Sequence, residues 1–226
     1  TLTNLKCYGN KITNLDFTKN ANLGYLDCSA NRLATLNISL NTVLARINCS
    51  GNQLTTLDLT KDAVLTSLHC SGNQFKSLDV SKNTALYSFG CNNNQLTALD
   101  VSNNFALNFL YCDSNQFTTL DVSKNTALTM IDCSSNQFLN NLNLKNGNNL
   151  HLTLNLQNNP NLTCIQVDDA TYSTNNWGSY KDAKATYSAT CTLGLADVVF
   201  RKMTLYPNPT TGQLQIENVN LQKASV

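Results

Sequence analysis

A cysteine returns every 21 residues along the first part of the chain, at Cys7, Cys28, Cys49, Cys70, Cys91, Cys112 and Cys133. A constant increment is a structural period rather than a cluster. Periods of this size mean stacked supersecondary units, each burying its apolar side only against its neighbours. The clearest copy of the unit has Leu23, Leu26, Cys28, Asn31 and Leu33 in the order Leu-x-x-Leu-x-Cys-x-x-Asn-x-Leu. A second copy is offset within the same period. Leu33, Leu36, Ile38, Asn41 and Leu44 read Leu-x-x-Leu-x-Ile-x-x-Asn-x-x-Leu, so one coil is two short halves that share their boundary leucines.

In the Leu-x-Cys and Leu-x-Ile segments alternate residues must face opposite ways, which is strand periodicity, and neither half has room for a long helix. The expected unit is a flat coil with a short strand on each of two sides, stacking at about 4.8 Å into two parallel ladders. The nested phrase resembles the bacterial subclass of leucine-rich repeats with 21 residues per repeat. The expected fold is mainly β: a leucine-rich-repeat solenoid with two parallel β ladders, a C-terminal cap, and then the start of a small β-sandwich.

The inward columns are well kept. One holds Ile12, Leu33, Leu54, Phe75, Leu96, Phe117 and Phe138, and the next holds Leu15, Leu36, Leu57, Leu78, Leu99 and Leu120. Burying one such side chain contributes roughly 1.5–3 kcal/mol, while ordering each residue costs about 1–2 kcal/mol of backbone entropy. A lone coil is therefore unstable, and stacking supplies the difference. Two asparagine columns mark the corners: Asn10, Asn31, Asn52, Asn73, Asn94, Asn115 and Asn136, then Asn20, Asn41, Asn83, Asn104 and Asn125, with Asp62 substituting once. An amide can bond the backbone groups left over where a chain turns, so both columns read as structural.

The chain has 9 cysteines, of which the repeating ones are expected to point inward as free thiols. They form no Cys-x-x-Cys pair of the kind zinc sites use, so no metal is expected. Cys164 and Cys191 lie after the repeat and are expected to form a disulfide across the cap, which implies an oxidising compartment.

These features divide the chain into a solenoid over 1–156, a cap over 157–191 that includes the single Trp177, a linker over 192–203 and a further domain from 204 to 226. Leu2 and Leu5 already occupy the slots of Leu23 and Leu26, so a cap and any leader peptide are expected before Thr1. The last segment carries Tyr206, Pro207, Asn208, Pro209 and Gly212 around a turn, followed by alternating Leu214 and Ile216. This stretch resembles the opening of the C-terminal sorting domain of proteins exported by the type IX secretion system. The resemblance implies more strands beyond Val226, secretion or surface display across the outer membrane, and partnership with the type IX translocon and outer-membrane shuttle proteins.

Net charge is +1 with 13% charged residues, which offers no basic stripe for nucleic acid and no polybasic membrane anchor. No apolar run is long enough for a membrane span. His69 and His151 are the two histidines, and neither stands in a nucleophile and base pattern; no phosphate loop or paired acid stands out either. Neither catalysis nor a cofactor is expected.

The two outward faces differ. On the Leu-x-Ile side the exposed residues barely change, as in Thr56, Asp58 and Thr60 or Ser77, Asp79 and Ser81, whereas the Leu-x-Cys side is variable. Rows of Thr and Ser could order water and bind ice, but a column of aspartates through the middle would hold its own hydration and opposes that reading. The variable face is the candidate for recognition, through Tyr25, Arg46, His69, Phe109, Tyr111, Asp113, Met130 and Asp132. Aromatics beside acceptors suit a glycan or a protein ligand. Adhesion or ligand binding is the expected role; a spacer carrying a further N-terminal domain is the alternative besides ice binding.

Overall fold

A computed structural model of the protein describes residues 1–191 and two strands beyond them, Leu205–Pro207 and Leu214–Ile216. Each turn of the chain lays down one strand of three residues on the Leu-x-Cys side: β1 (Asn4–Lys6), β2 (Tyr25–Asp27), β3 (Arg46–Asn48), β4 (Ser67–His69), β5 (Ser88–Gly90) and β6 (Phe109–Tyr111). The other side forms strands only in the later coils: β7 (Thr119–Asp121), β9 (Asn141–Asn143), β11 (Cys164–Gln166) and β12 (Thr186–Ser188). With β8 (Met130–Asp132) and β10 (Thr153–Asn155), the first side is an 8-stranded parallel sheet of order β1-β2-β3-β4-β5-β6-β8-β10, and the second a 4-stranded sheet of order β12-β11-β9-β7. In the earlier coils the second side is tied by lone inter-coil bonds, such as Gln53 N to Leu33 O and Gln74 N to Leu54 O, both 2.9 Å.

The core is a set of columns running through the stack. Leu26, Ile47, Leu68, Phe89, Leu110 and Ile131 form one, and Cys28, Cys49, Cys70, Cys91, Cys112 and Cys133 the next; all are buried. The seven repeat thiols are free, and Cys7 in the first coil is half-buried. Burial pushes the Cys28 thiol up to about 12 and those of Cys49, Cys70 and Cys112 well above their ordinary value, so they behave as small apolar side chains. Phe138 departs from the expected column. It is 54% exposed while Leu139 takes the inward position, so the chain gains one residue between Asn136 and the inward slot.

The asparagine columns do what their chemistry suggests. Asn73 donates from Nδ2 to Cys49 O (3.0 Å) in the coil before and to Cys70 O (3.0 Å) in its own, while its Oδ1 accepts from Leu54 N (3.0 Å). Each amide thus spans two coils and closes the turn after the strand. That turn also needs one residue at positive φ in every coil: Gly9, Ala30, Gly51, Gly72, Asn93, Ser114 and Ser135. The glycines stand there at no steric cost, whereas Ala30 is held at φ 51°. Ala30→Gly is therefore expected to raise the unfolding free energy by roughly 1 kcal/mol, a gain that urea titration would register.

A cap follows. Asp169 starts helix α1 (Ala170–Trp177) by accepting from Thr171 N (2.9 Å) and Tyr172 N (3.0 Å). Trp177 meets Tyr172 and Tyr187 edge-on with ring centroids 6.0 and 5.8 Å apart, and the Tyr187 hydroxyl donates to Trp177 O at 3.1 Å. The expected disulfide between Cys164 and Cys191 closes this segment. Contacts divide the chain into two units, Thr1–Cys191 and Thr192–Val226. In the second unit β13 (Leu205–Pro207) and β14 (Leu214–Ile216) pair antiparallel, with Leu205 opposite Ile216. Tyr206 and Pro207 lie in β13; Asn208, Pro209, Gly212 and the linker over 192–203 lie outside the described residues.

Candidate recognition surface

Parallel register turns the variable positions into two columns on the outer side of the 8-stranded sheet. One runs Tyr25, Arg46, Ser67, Ser88, Phe109, Met130, and the other Asp27, Asn48, His69, Gly90, Tyr111, Asp132. Phe109 and Met130 are therefore direct neighbours, as are Tyr111 and Asp132, and the Tyr111 hydroxyl lies 2.9 Å from the Met130 sulfur. Tyr25 and Arg46 adjoin each other in earlier coils, away from this group, with the Lys6 ammonium 5.6 Å from the centre of the Tyr25 ring.

His69 lies across the strand that follows it. A Cβ on Gly90 would stand 3.1 Å from His69 Nδ1, and Nε2 is 3.4 Å from Ser88 Oγ, so the bare Gly90 gives the imidazole its place. Burial lowers the His69 pKa, which keeps the ring neutral at neutral pH. Asp132 is less free than its sequence position suggests. One oxygen accepts from Ser134 N (3.0 Å) and Ser134 Oγ (2.7 Å), and the other from Asn155 Nδ2 (3.1 Å). Asp113 has only the Ser114 hydroxyl at 3.3 Å; burial, and then the charge of Asp132, raise its pKa. Asp113 is thus the acceptor with capacity left over.

Sequence reasoning missed a third variable column, just ahead of the strands. Tyr87 occupies it, 49% exposed, with its ring 5.4 Å from Phe109 in a T-shaped pair. Around the adjoining corner Val43 and Val64 repeat at one coil position, 48% and 49% exposed, and Phe105 is 58% exposed. Phe105 stands straight after the corner Asn104, and Val43 and Val64 two residues after Asn41 and Asp62, but a rule that admits only strand positions to a binding face discards them.

The regular face behaves differently. Asp58 accepts from Thr60 N (3.0 Å) and Thr60 Oγ1 (2.7 Å), and the same bond to the backbone two residues on recurs at Asp16, Asn37, Asp79, Asp100 and Asp121. Hydrogen bonds from the residue two positions on, led by its amide at Asp16 and Asp79 and by its hydroxyl at Asp58 and Asp100, lower the pKa values of these four carboxylates. The hydroxyls of Thr18, Ser39 and Thr60 are bonded inside their own turns, so at these positions they are not free to order water. Among the described residues no three His, Cys, Asp or Glu side chains converge as a metal site, and no helix is long and apolar enough to cross a membrane.

No protein-family model and no curated protein matches the sequence. Among solved structures the chain is similar to the functional domain of InlJ from Listeria monocytogenes, which includes a cysteine ladder: 31% identity, TM-score 0.60, over 77% of this chain and 48% of that one. It is also similar to a leucine-rich repeat protein of Leptospira interrogans, at 20% identity and TM-score 0.52, over 70% of this chain and 46% of the other. An internalin, InlF, from Listeria monocytogenes matches at 18% identity and TM-score 0.56, over 82% and 59%. The latter two likenesses speak to the fold alone, and the chain spans about half the length of the proteins it matches. The architecture is that of a leucine-rich-repeat solenoid.

Proposed function

We propose that this solenoid is the recognition module of a secreted or cell-surface protein and binds a protein partner through its variable sheet. The contiguous group of Tyr87, Phe109, Tyr111 and Met130 carries the reading: aromatic side chains at a sheet surface supply rigid contact area at low entropic cost, and Asp113 offers an unspent acceptor beside them. Exposed Val43, Val64 and Phe105 on the adjoining corner favour a protein over a glycan, because they offer apolar area and no hydrogen bonds. The likeness to the functional domain of InlJ supports a binding role of the adhesion type. Tyr25, Arg46 and His69 extend the same face towards the first coils and would contribute to its outer rim.

Export through the type IX system is part of the proposal and rests on the sequence from Leu205 to Ile216. The translocon and its shuttle proteins would be the partners of that segment, and the oxidising compartment implied by the disulfide agrees with an extracellular destination. The test of recognition is a binding screen of the full chain against surface proteins and glycans, with Phe109→Ala/Tyr111→Ala as the control. Loss of two central aromatic anchors is expected to weaken binding at least about thirtyfold, with stability changed by less than about 2 kcal/mol. Unchanged affinity would sink the surface, and absence of any ligand would favour the spacer reading.

A further inference from the structure

The second asparagine column contains one residue that breaks its chemistry. Asn41 donates from Nδ2 to Phe17 O (3.3 Å) and Asn20 O (2.8 Å), Asn83 to Leu59 O (3.2 Å) and Asp62 O (2.9 Å), and Asn104 to Val80 O (3.0 Å) and Asn83 O (2.8 Å). Asn125 repeats the pattern on Val101 O and Asn104 O, both at 2.9 Å. The column therefore works through its donors. The amide oxygens of Asn83, Asn104 and Asn125 are buried and accept nothing, so the acceptor side of each amide contributes no bond.

Asp62 occupies the same slot in the coil between Asn41 and Asn83. It is fully buried, and neither carboxyl oxygen has a hydrogen-bond partner. By the register of its neighbours it faces the carbonyls of Ile38 and Asn41, one coil back. An ionised carboxylate has no donor to give them. A protonated one has one.

We infer that Asp62 is a pH-sensitive lock in the asparagine column: in mild acid it is a neutral carboxylic acid that donates to a carbonyl of the preceding coil, and on losing that proton it sets a charge against those carbonyls and loosens the middle of the solenoid. Its surroundings agree. The preceding coil has no ionisable side chain between Asn37 and Val43, its own coil has Asp58 and Lys61, and the following coil has Asp79 and Lys82. Burial first, and then the charge of Asp58, push the Asp62 carboxyl up to about 6. A group whose folded pKa lies above its unfolded value contributes stability that is complete below the unfolded pKa, near 3.8, and is lost as pH rises through about 6. The solenoid is thus tied most firmly in a mildly acidic medium.

Two measurements on the full chain decide the matter. In a carbon-13 carboxyl titration, Asp62 is expected to titrate near pH 6, well apart from Asp16, Asp58, Asp79 and Asp100, whose pKa values are lowered. In urea unfolding, the ratio of unfolding constants of wild type to Asp62→Asn should rise about tenfold between pH 5 and pH 7.5. Taking the ratio cancels other titrating groups, including Asp113. Titration of Asp62 below pH 4.5, or parallel stability profiles for the two proteins, would overturn the inference. If Asp62→Asn does not fold, the carboxyl titration of the wild type decides alone.

Discussion

Replacing Asn94 with alanine is expected to lower the unfolding free energy of the solenoid by about 3–5 kcal/mol, a large effect for one polar side chain. Asn94 donates to Cys70 O (3.2 Å), Cys91 O (3.0 Å) and Asn92 O (3.3 Å), and its Oδ1 accepts from Phe75 N (3.1 Å). Alanine cannot replace any of these bonds. The bonds to Phe75 and Cys70 join one coil to the preceding one, so the loss falls on the coil interface that holds a stacked protein together. Each buried group left without a partner costs about 1–3 kcal/mol, and partial relaxation keeps the total below the sum. Asn10→Ala is the natural control. The same residue in the exposed first coil donates only to Cys7 O and Tyr8 O, each at 3.1 Å, and its loss should cost less than about 1 kcal/mol. Equilibrium urea unfolding of the three proteins measures both, and equal small losses would mean that the amide column is decoration.

The asparagine column also shows why so much of this fold is legible in the sequence. A residue that must both face inward and bond two coils admits almost no substitute, so its slot repeats with every turn of the chain. The inward leucines and cysteines repeat for the same reason: a stacked column has one volume to fill per coil. Phe138 escaped this logic because the period itself changes there. An extra residue after Asn136 lets Leu139 take the inward slot, and a column read at fixed spacing continues through the shift.

The surface is less legible, for a physical reason. Outward residues are constrained by what binds them, and the period says nothing about that. Tyr87 and Phe105 carry no repeating signature, and only the fold places Tyr87 against Phe109. Asp132 shows the reverse error. It looks like a free acceptor, yet both oxygens already hold backbone and side-chain donors of its own and the next coil. A carboxylate two residues before a serine is a turn device on both faces of this molecule, at Asp27 as at Asp79.

Removing the disulfide by Cys164→Ser/Cys191→Ser is expected to cost about 3–4 kcal/mol and to change where unfolding begins. The bond joins residues 27 apart in sequence, and closing a loop of that length restricts the unfolded chain by roughly that amount. Inside the loop lie α1 and β12, with Trp177 and Tyr187 buried together as the cap core. Without the crosslink this cap should open first and uncover the end of the stack, after which coils peel off from the C-terminal side. The free thiols report the direction. In the wild type Cys7, half-buried, is the repeat cysteine open to alkylation, while Cys28 to Cys133 are buried. In the double variant near the urea midpoint, iodoacetamide should modify Cys133 before Cys112, and Cys112 before Cys91, as read by mass spectrometry of the peptides. Reduction of the wild type should reproduce both the loss of stability and the order. Simultaneous modification of the whole thiol column, with stability unchanged, would mean that the crosslink fastens an end the repeats already hold closed.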